Sequence, residues 1–195
     1  MKYAICQVSV APLRSEARDS SEMVSQVLVG EKLIILEELE KWTKVQLAFD
    51  GYEGWLDPKQ IVEISEEEYN LNSIDKFAIN PYNHAMEGGL PMTLTIGAEV
   101  RALNESKIKI GQKCFEYFGV YTSGKKSKEQ LVEIAKAYLN VPYLWGGKSS
   151  FGIDCSGLTQ QVYKTGGYKI PRDAYQQAEM GEVLSFVEES EPGDL

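Results

Sequence analysis

Residues 142–158 read Pro142-Tyr143-Leu144-Trp145-Gly146-Gly147-Lys148-Ser149-Ser150-Phe151-Gly152-Ile153-Asp154-Cys155-Ser156-Gly157-Leu158. A loop of aromatics and glycines runs into Asp154-Cys155-Ser156-Gly157, which opens a predicted helix with Leu158 and Val162 inward and Gly166-Gly167 as its stop. A helix N-terminus presents free N–H groups and a partial positive charge, and both favour a thiolate at Cys155. The same N–H groups can hold the oxyanion of an acyl-transfer intermediate. Ser156 and Gly157 are small, which predicts room for a carbonyl to approach the sulfur. Taken alone, Asp-Cys-Ser-Gly reads as well as a structural cysteine at a helix start.

Upstream, Ser127-x-x-Gln130 has the form of a capping box. Leu131, Ile134, Ala135, Tyr138 and Leu139 recur at helical spacing, so one buried stripe is expected, ended by Asn140 and Pro142. Downstream, Asp173 reads as the N-cap of a short helix ending near Gly181, and Pro192-Gly193-Asp194 reads as a turn. Beside these helices, residues 126–195 offer at most one short apolar stretch, Val183 to Val187.

The texture differs towards the N-terminus. Val24 to Val29, Lys32 to Leu36 and Trp42 to Phe49 are strand-like, with Val45, Leu47 and Phe49 alternating against Lys44, Gln46 and Ala48. Asp50-Gly51 marks a hairpin, Tyr52 to Leu56 resumes the strand, and Pro58 ends it. Several strands in so short a stretch predict a small barrel over residues 1–64. Residues 65–125 carry strand-type residues between turns at Gly88-Gly89 and Gly97, and a second barrel is the expectation there. Glu66-Glu67-Glu68 reads as a solvated face, and His84, in Asn80-Pro81-Tyr82-Asn83-His84-Ala85, as a loop histidine.

The chain has 195 residues, a formal charge of −9 and a sequence pI near 4.8. The three segments, 1–64, 65–125 and 126–195, are each acidic, so no basic arm for nucleic acid is expected. No apolar run is long enough to span a bilayer. One histidine excludes a His-rich metal site, and no cofactor is implied. Three cysteines, at 6, 114 and 155, fit free thiols in a reducing compartment better than a disulfide framework. Cys6 and Cys114 read as packed, inert thiols.

The longer string supplies a resemblance. Pro142-Tyr143-x-Trp145-Gly146-Gly147, Asp154-Cys155-Ser156-Gly157-Leu158, Pro171-Arg172-Asp173-x-x-x-Gln177 and Pro192-Gly193-Asp194-Leu195 together resemble the NlpC/p60 cysteine peptidases over residues 127–195. Leu13-Arg14, Gln26 to Glu31, Trp42-x-x-Val45, Asp50-Gly51-Tyr52-x-Gly54-Trp55 and Ile61 look like a bacterial SH3-like domain. Trp42 and Trp55 read as packing residues before they read as an aromatic groove. The whole is similar to the γ-D-glutamyl-L-diamino-acid endopeptidases that cut murein peptides.

The resemblance implies an α+β fold: two small SH3-like β-barrels and a papain-like catalytic domain. It makes Cys155 the nucleophile on the γ-D-Glu carbonyl, with Asp154 and Ser156 shaping the helix start. Asp173 would receive the free α-amine of an N-terminal L-Ala through a charge-assisted hydrogen bond. Tyr143 and Trp145 would wall the site, and Arg14, Glu16 and Tyr52 are the candidates for a contribution from the first SH3-like domain. In the family a base histidine follows the Pro-Gly-Asp-Leu turn, yet no histidine follows Cys155 here. The expectation is therefore a catalytic domain cut short before its C-terminal sheet, with a missing segment supplying the histidine and little turnover by these 195 residues alone. Two alternatives stand beside it, a catalytically dead binding module for wall peptides and a thiol acyltransferase or amidase on other amides. The start of the sequence has no long apolar run of a signal peptide. It points to the cytoplasm and recycling of wall fragments, or to a secreted or periplasmic site if a leader was removed.

Overall fold

The structure, a computed structural model, describes residues 1–71, 76–104 and 106–194. Leu195, the last residue of the Pro-Gly-Asp-Leu motif, lies outside the described residues. The fold is mostly β with few helices.

Seven short strands fill the first third: β1 (Lys2–Cys6), β2 (Val10–Arg14), β3 (Met23–Leu28), β4 (Lys32–Glu38), β5 (Thr43–Leu47), β6 (Glu53–Leu56) and β7 (Ile61–Ile64). They form one antiparallel sheet in the order β3-β2-β6-β5-β4-β1-β7. The alternation read in the sequence is the burial of β5, with Thr43, Val45 and Leu47 inward. They join Ala4, Cys6, Leu13, Val27, Leu33 and Leu56 in the core. Phe49 departs from the pattern: it lies past the strand end, half-buried, with the Lys164 ammonium 5.0 Å from its ring centroid. At the β5–β6 turn Gly51 has φ +77°, and the Asp50 carboxylate accepts the Tyr52 N–H (3.0 Å). Trp42 and Trp55 are both half-buried.

A second set follows: β8 (Lys76–Ala78), β9 (Asn83–Glu87), β10 (Leu90–Leu94), β11 (Arg101–Asn104), β12 (Lys107–Ile110), β13 (Lys113–Phe118) and β14 (Tyr121–Ser123). Five strands order as β10-β9-β13-β12-β11, and β8 pairs with β14. Their core is shared, because Ile5, Val29 and Ile64 of the first sheet pack with Ala85, Leu94, Ile108 and Phe115 of the second. Gly30 (φ +84°) makes this possible, since a Cβ there would fall 2.0 Å from the Glu99 carbonyl oxygen.

Three expectations are corrected here. His84 is exposed as expected, but it sits in strand β9 opposite Thr93 and Phe118, not in a loop. Its alternation with buried Asn83 and Ala85 is the period of the strand. Cys114 is exposed on β13, because Phe115 takes the inward position of that strand. Glu66–Asn70 forms a short helix, α1, capped by Ser65. Its Glu68 is not merely solvated but pairs with Arg101 (3.2 Å) and Lys109 (3.6 Å).

The last third holds α2 (Lys128–Lys136), the short pair β15 (Lys148–Ser149) and β16 (Gly152–Ile153), α3 (Cys155–Thr165) and α4 (Ala174–Ala178). The capping box at Ser127 and Gln130 is present. Leu131 and Tyr138 are buried with Ile153, Val162 and the second set's Ile96, and Ile134 and Ala135 pack against them. Leu139 does not join the stripe: α2 ends at Lys136, the chain turns through Asn140 (φ +68°), and Leu139 is left 72% exposed. Val183, Phe186 and Val187 are exposed. The Pro192-Gly193 turn is held to α3 by the Tyr163 hydroxyl, which donates to the Gly193 carbonyl. No helix among the described residues is long and apolar enough to cross a membrane.

Candidate active site

Cys155 is the first residue of α3 and is exposed. Asp154 precedes it with extended backbone and caps the helix, its Oδ1 accepting the Gly157 N–H (2.7 Å). The other oxygen accepts the Gly146 N–H (2.9 Å), so one carboxylate joins the helix start to the Trp145-Gly146-Gly147 turn. That turn packs tightly. Gly146 has φ +75°, and a Cβ on it would meet the Met23 carbonyl oxygen at 2.1 Å.

The smallness of residues 156 and 157 also has a packing cause, beside the access to the sulfur expected from sequence. A Cβ on Gly157 would fall 2.2 Å from the Gly147 carbonyl oxygen. Ser156 is buried, and its hydroxyl accepts from Arg172 (2.8 Å).

Arg172 is the residue that sequence reasoning passed over. It is 2% exposed. Its guanidinium grips Asp154 with both outer nitrogens (3.0 and 2.7 Å) and donates to the Gly147 carbonyl (3.4 Å). Its Nε donates to the Ser25 hydroxyl on β3, 147 residues away in sequence (3.1 Å). Gln177, from α4, donates its side-chain amide to the Ser156 carbonyl (2.9 Å) and the Pro171 carbonyl (2.8 Å). The segment carrying Asp173 is thus tied at two points to the helix carrying Cys155. The signal was in the quoted motif, where Arg172 and Gln177 stand beside the residue singled out, but a buried arginine cannot be told from an exposed one by sequence alone.

Asp173 is half-buried, and the Tyr52 hydroxyl donates to its Oδ1 (3.2 Å). Burial and then the neighbouring Asp173 charge push the Tyr52 hydroxyl up to about 12, so it stays protonated as the donor. Trp145 is largely exposed and donates from its indole to Glu22 (2.6 Å), a residue sequence reasoning did not name. Tyr143 is exposed and its backbone bridges to Ile153. Arg14 and Glu16 are engaged locally: Arg14 donates to the Ser21 carbonyl (2.8 Å), and Glu16 pairs with Arg18 (3.0 Å).

Behind the site lies a buried ionic cluster that joins all three parts of the chain. Glu31 Oε1 accepts from Lys148 (2.8 Å) and Lys164 (2.6 Å), and Lys164 also reaches Glu99 (3.0 Å). The other Glu31 oxygen accepts the Leu28 N–H (2.7 Å). Burial alone would raise the Glu31 pKa. The Lys148 and Lys164 charges outweigh it and hold the carboxyl down at about 2. Glu99 is shifted the other way, because burial there exceeds what Lys164 returns. No group of His, Cys, Asp and Glu among the described residues could hold a metal ion.

Two family models match the chain: the bacterial dipeptidyl-peptidase SH3 domain over residues 13–61, and the NlpC/P60 family over residues 140–195. The γ-D-glutamyl-L-lysine dipeptidyl-peptidase of Bacillus subtilis (strain 168) is 30% identical over 186 residues, covering 88% of this chain and 62% of the relative. The protein of the same name from Bacillus cereus (strain ATCC 10987) is 26% identical over 201 residues, covering 91% and 60%. The chain thus spans about three fifths of the length of these relatives, 62% and 60%. The crystal structure of an NlpC/P60 family protein from Bacillus cereus ATCC 10987 superposes with a TM-score of 0.80 at 21% identity, covering 98% of this chain and 81% of that one. That likeness is one of fold.

Proposed function

The chain pairs a bacterial dipeptidyl-peptidase SH3 domain with an NlpC/P60 segment, and on that premise we propose that it serves a cysteine endopeptidase of murein peptides. The bond cut is the one between γ-D-Glu and the diamino acid, in peptides with a free N-terminal L-Ala. Cys155 is the nucleophile: its sulfur adds to the γ-carbonyl, the C–N bond breaks with the thiol proton passing to the nitrogen so that the diamino acid leaves as the amine, and water cleaves the thioester to L-Ala-γ-D-Glu and the free thiol. The N–H groups at the start of α3 are the donors for the oxyanion. Asp173 receives the substrate ammonium, and Tyr143 and Trp145 wall the site. Asp154 and Ser156 act by shaping the helix start. His84, on the exposed face of β9, is given no catalytic part.

The observation that carries this reading is the double tie between the exposed thiol helix and the Asp173 turn, completed by Tyr52 from the first sheet. A nucleophile and an anion at a held separation measure a short acyl segment from its free amine. Three free thiols, two of them exposed, support a reducing setting.

Binding and chemistry are tested apart. Calorimetric titration with L-Ala-γ-D-Glu is expected to lose at least about tenfold in affinity on N-acetylation or in Asp173→Ala, the scale of one charge-assisted bond. Release of L-Ala-γ-D-Glu from its L-Lys and diaminopimelate tripeptides, followed by mass spectrometry, is expected to be slight with these 195 residues, robust in a form extended past Leu195 to carry a histidine, and absent from that form in Cys155→Ala. Binding indifferent to N-acetylation, or hydrolysis that survives Cys155→Ala, overturns the reading. Tight peptide binding that survives Cys155→Ala, with hydrolysis absent in the extended form as well as in these 195 residues, favours the binding-module alternative.

A further inference from the structure

We propose that Arg172 is a positioning residue that sets both the state of Cys155 and its separation from Asp173. The proposal deepens the reading above and rests on it for the role of Asp173.

The argument is one of geometry and burial. A guanidinium 2% exposed needs several partners to offset its desolvation, and Arg172 has five: both Asp154 oxygens, Ser156 Oγ, Gly147 O and Ser25 Oγ. They lie on three pieces of the site. Asp154 and Ser156 flank Cys155 in sequence, Gly147 ends the aromatic turn, Ser25 belongs to β3, and the arginine itself precedes Asp173. The fork shape matters, because the planar group meets both carboxylate oxygens while Nε points the other way to Ser25. Lysine, a single point of charge on a flexible stem, cannot make these contacts together.

One consequence concerns Cys155 directly. Asp154 is the residue beside it, and an unpaired carboxylate there would repel the thiolate form that attacks. Arg172 neutralises that charge without covering the sulfur. The charged and titratable groups on elements around the start of α3 are Asp154, Arg172, Asp173, Tyr52, Glu22 and Tyr143. Loss of Arg172 removes a positive charge that acts on Asp154 through two hydrogen bonds and on Tyr52 at longer range.

The experiment is the pH dependence of Cys155 carbamidomethylation by iodoacetamide, read per residue by peptide mass spectrometry because Cys114 is also exposed. It uses the whole 195-residue chain and no substrate. Arg172→Gln is expected to move the profile to higher pH and to cut the rate at pH 7 about tenfold, because the thiolate then faces an unpaired carboxylate. Arg172→Lys, which keeps the charge but not the fork, is expected to cut it about threefold, and it carries the test if the glutamine variant does not fold. A variant that is folded by circular dichroism and keeps the wild-type profile, with only a lower melting temperature, overturns the proposal. A second arm measures the preference for L-Ala-γ-D-Glu over its N-acetyl form, expected to shrink in both variants. Should the wild type lack that preference while the alkylation profile still shifts, it is the reading of Asp173 that fails and the positioning role that stands.

Discussion

Tyr52 and Asp173 meet across 121 residues of sequence at a single hydrogen bond of 3.2 Å. Tyr52 follows the β5–β6 turn, so the hairpin that Asp50-Gly51 announces is also what carries a hydroxyl to the candidate site. Tyr52→Phe removes that donor and leaves the ring in place. A bond of this kind contributes about 1 kcal/mol, more to a charged acceptor. The expected outcome is a three- to tenfold loss of affinity for L-Ala-γ-D-Glu, by calorimetry, with the melting temperature nearly unchanged. Gly146 shows the opposite case, a residue whose role is wholly steric. Its φ of +75°, and the 2.1 Å that would separate an added Cβ from Met23 O, leave no room for a side chain. Gly146→Ala is expected to cost at least about 2 kcal/mol of stability in urea unfolding. Neither contact can be read from sequence, because each joins residues remote in the chain. The sequence marks the residue types, a tyrosine after a turn and a glycine in an aromatic loop, but not the partners.

At the scale of elements, the legible parts are those whose signal is local. The β5 alternation, the Asp50-Gly51 turn, the capping box of α2 and the helix opening at Cys155 are each written within a few residues and each is present. Residues 65–125 resisted reading because their core is not their own: Ile5, Val29 and Ile64 complete it from the first sheet, so inward residues need not form a closed pattern within the segment. The α2 stripe was overextended for a related reason. Periodicity continues to Leu139, but the helix ends before it and the chain turns away at Asn140. The cap itself is testable. Ser127 Oγ accepts the Gln130 N–H, and Gln130 Oε1 accepts the Ser127 N–H. Ser127→Ala is expected to lower stability by about 1 kcal/mol, measured by denaturant melts, and to leave dipeptide binding untouched because α2 holds no residue of the candidate site.

At the scale of the whole molecule, Glu31, Lys148, Lys164 and Glu99 form the joint between the first sheet, the second set of strands and the Cys155 helix. Nothing in the sequence sets these four apart from the other charges, since each is ordinary in its own segment and they meet only in the folded chain. Breaking a buried pair from one side leaves a charge without its partner, so Lys148→Met is expected to cost about 3 kcal/mol by urea unfolding. The joint also gives stability a pH dependence. Glu31 has its carboxyl held at about 2 in the folded protein, below the value near 4.3 of an unfolded chain. The unfolded state therefore binds this proton first, and the contribution of Glu31 is whole above about pH 4.3 and is lost as pH falls towards about 2. Glu99 is raised when folded, so its contribution has the opposite sign: it is present at low pH and lost as pH rises through its folded value. Lys164 is raised as well, through Glu31 and Glu99 against its own burial, and its contribution persists up to strongly alkaline pH. Acid sensitivity in this cluster thus belongs to Glu31. Glu31→Gln should lower stability at pH 7 and flatten its decline between pH 4.5 and 2.5, followed by urea melts at each pH. A slope as steep as that of the wild type would place the acid-sensitive carboxylate outside this cluster.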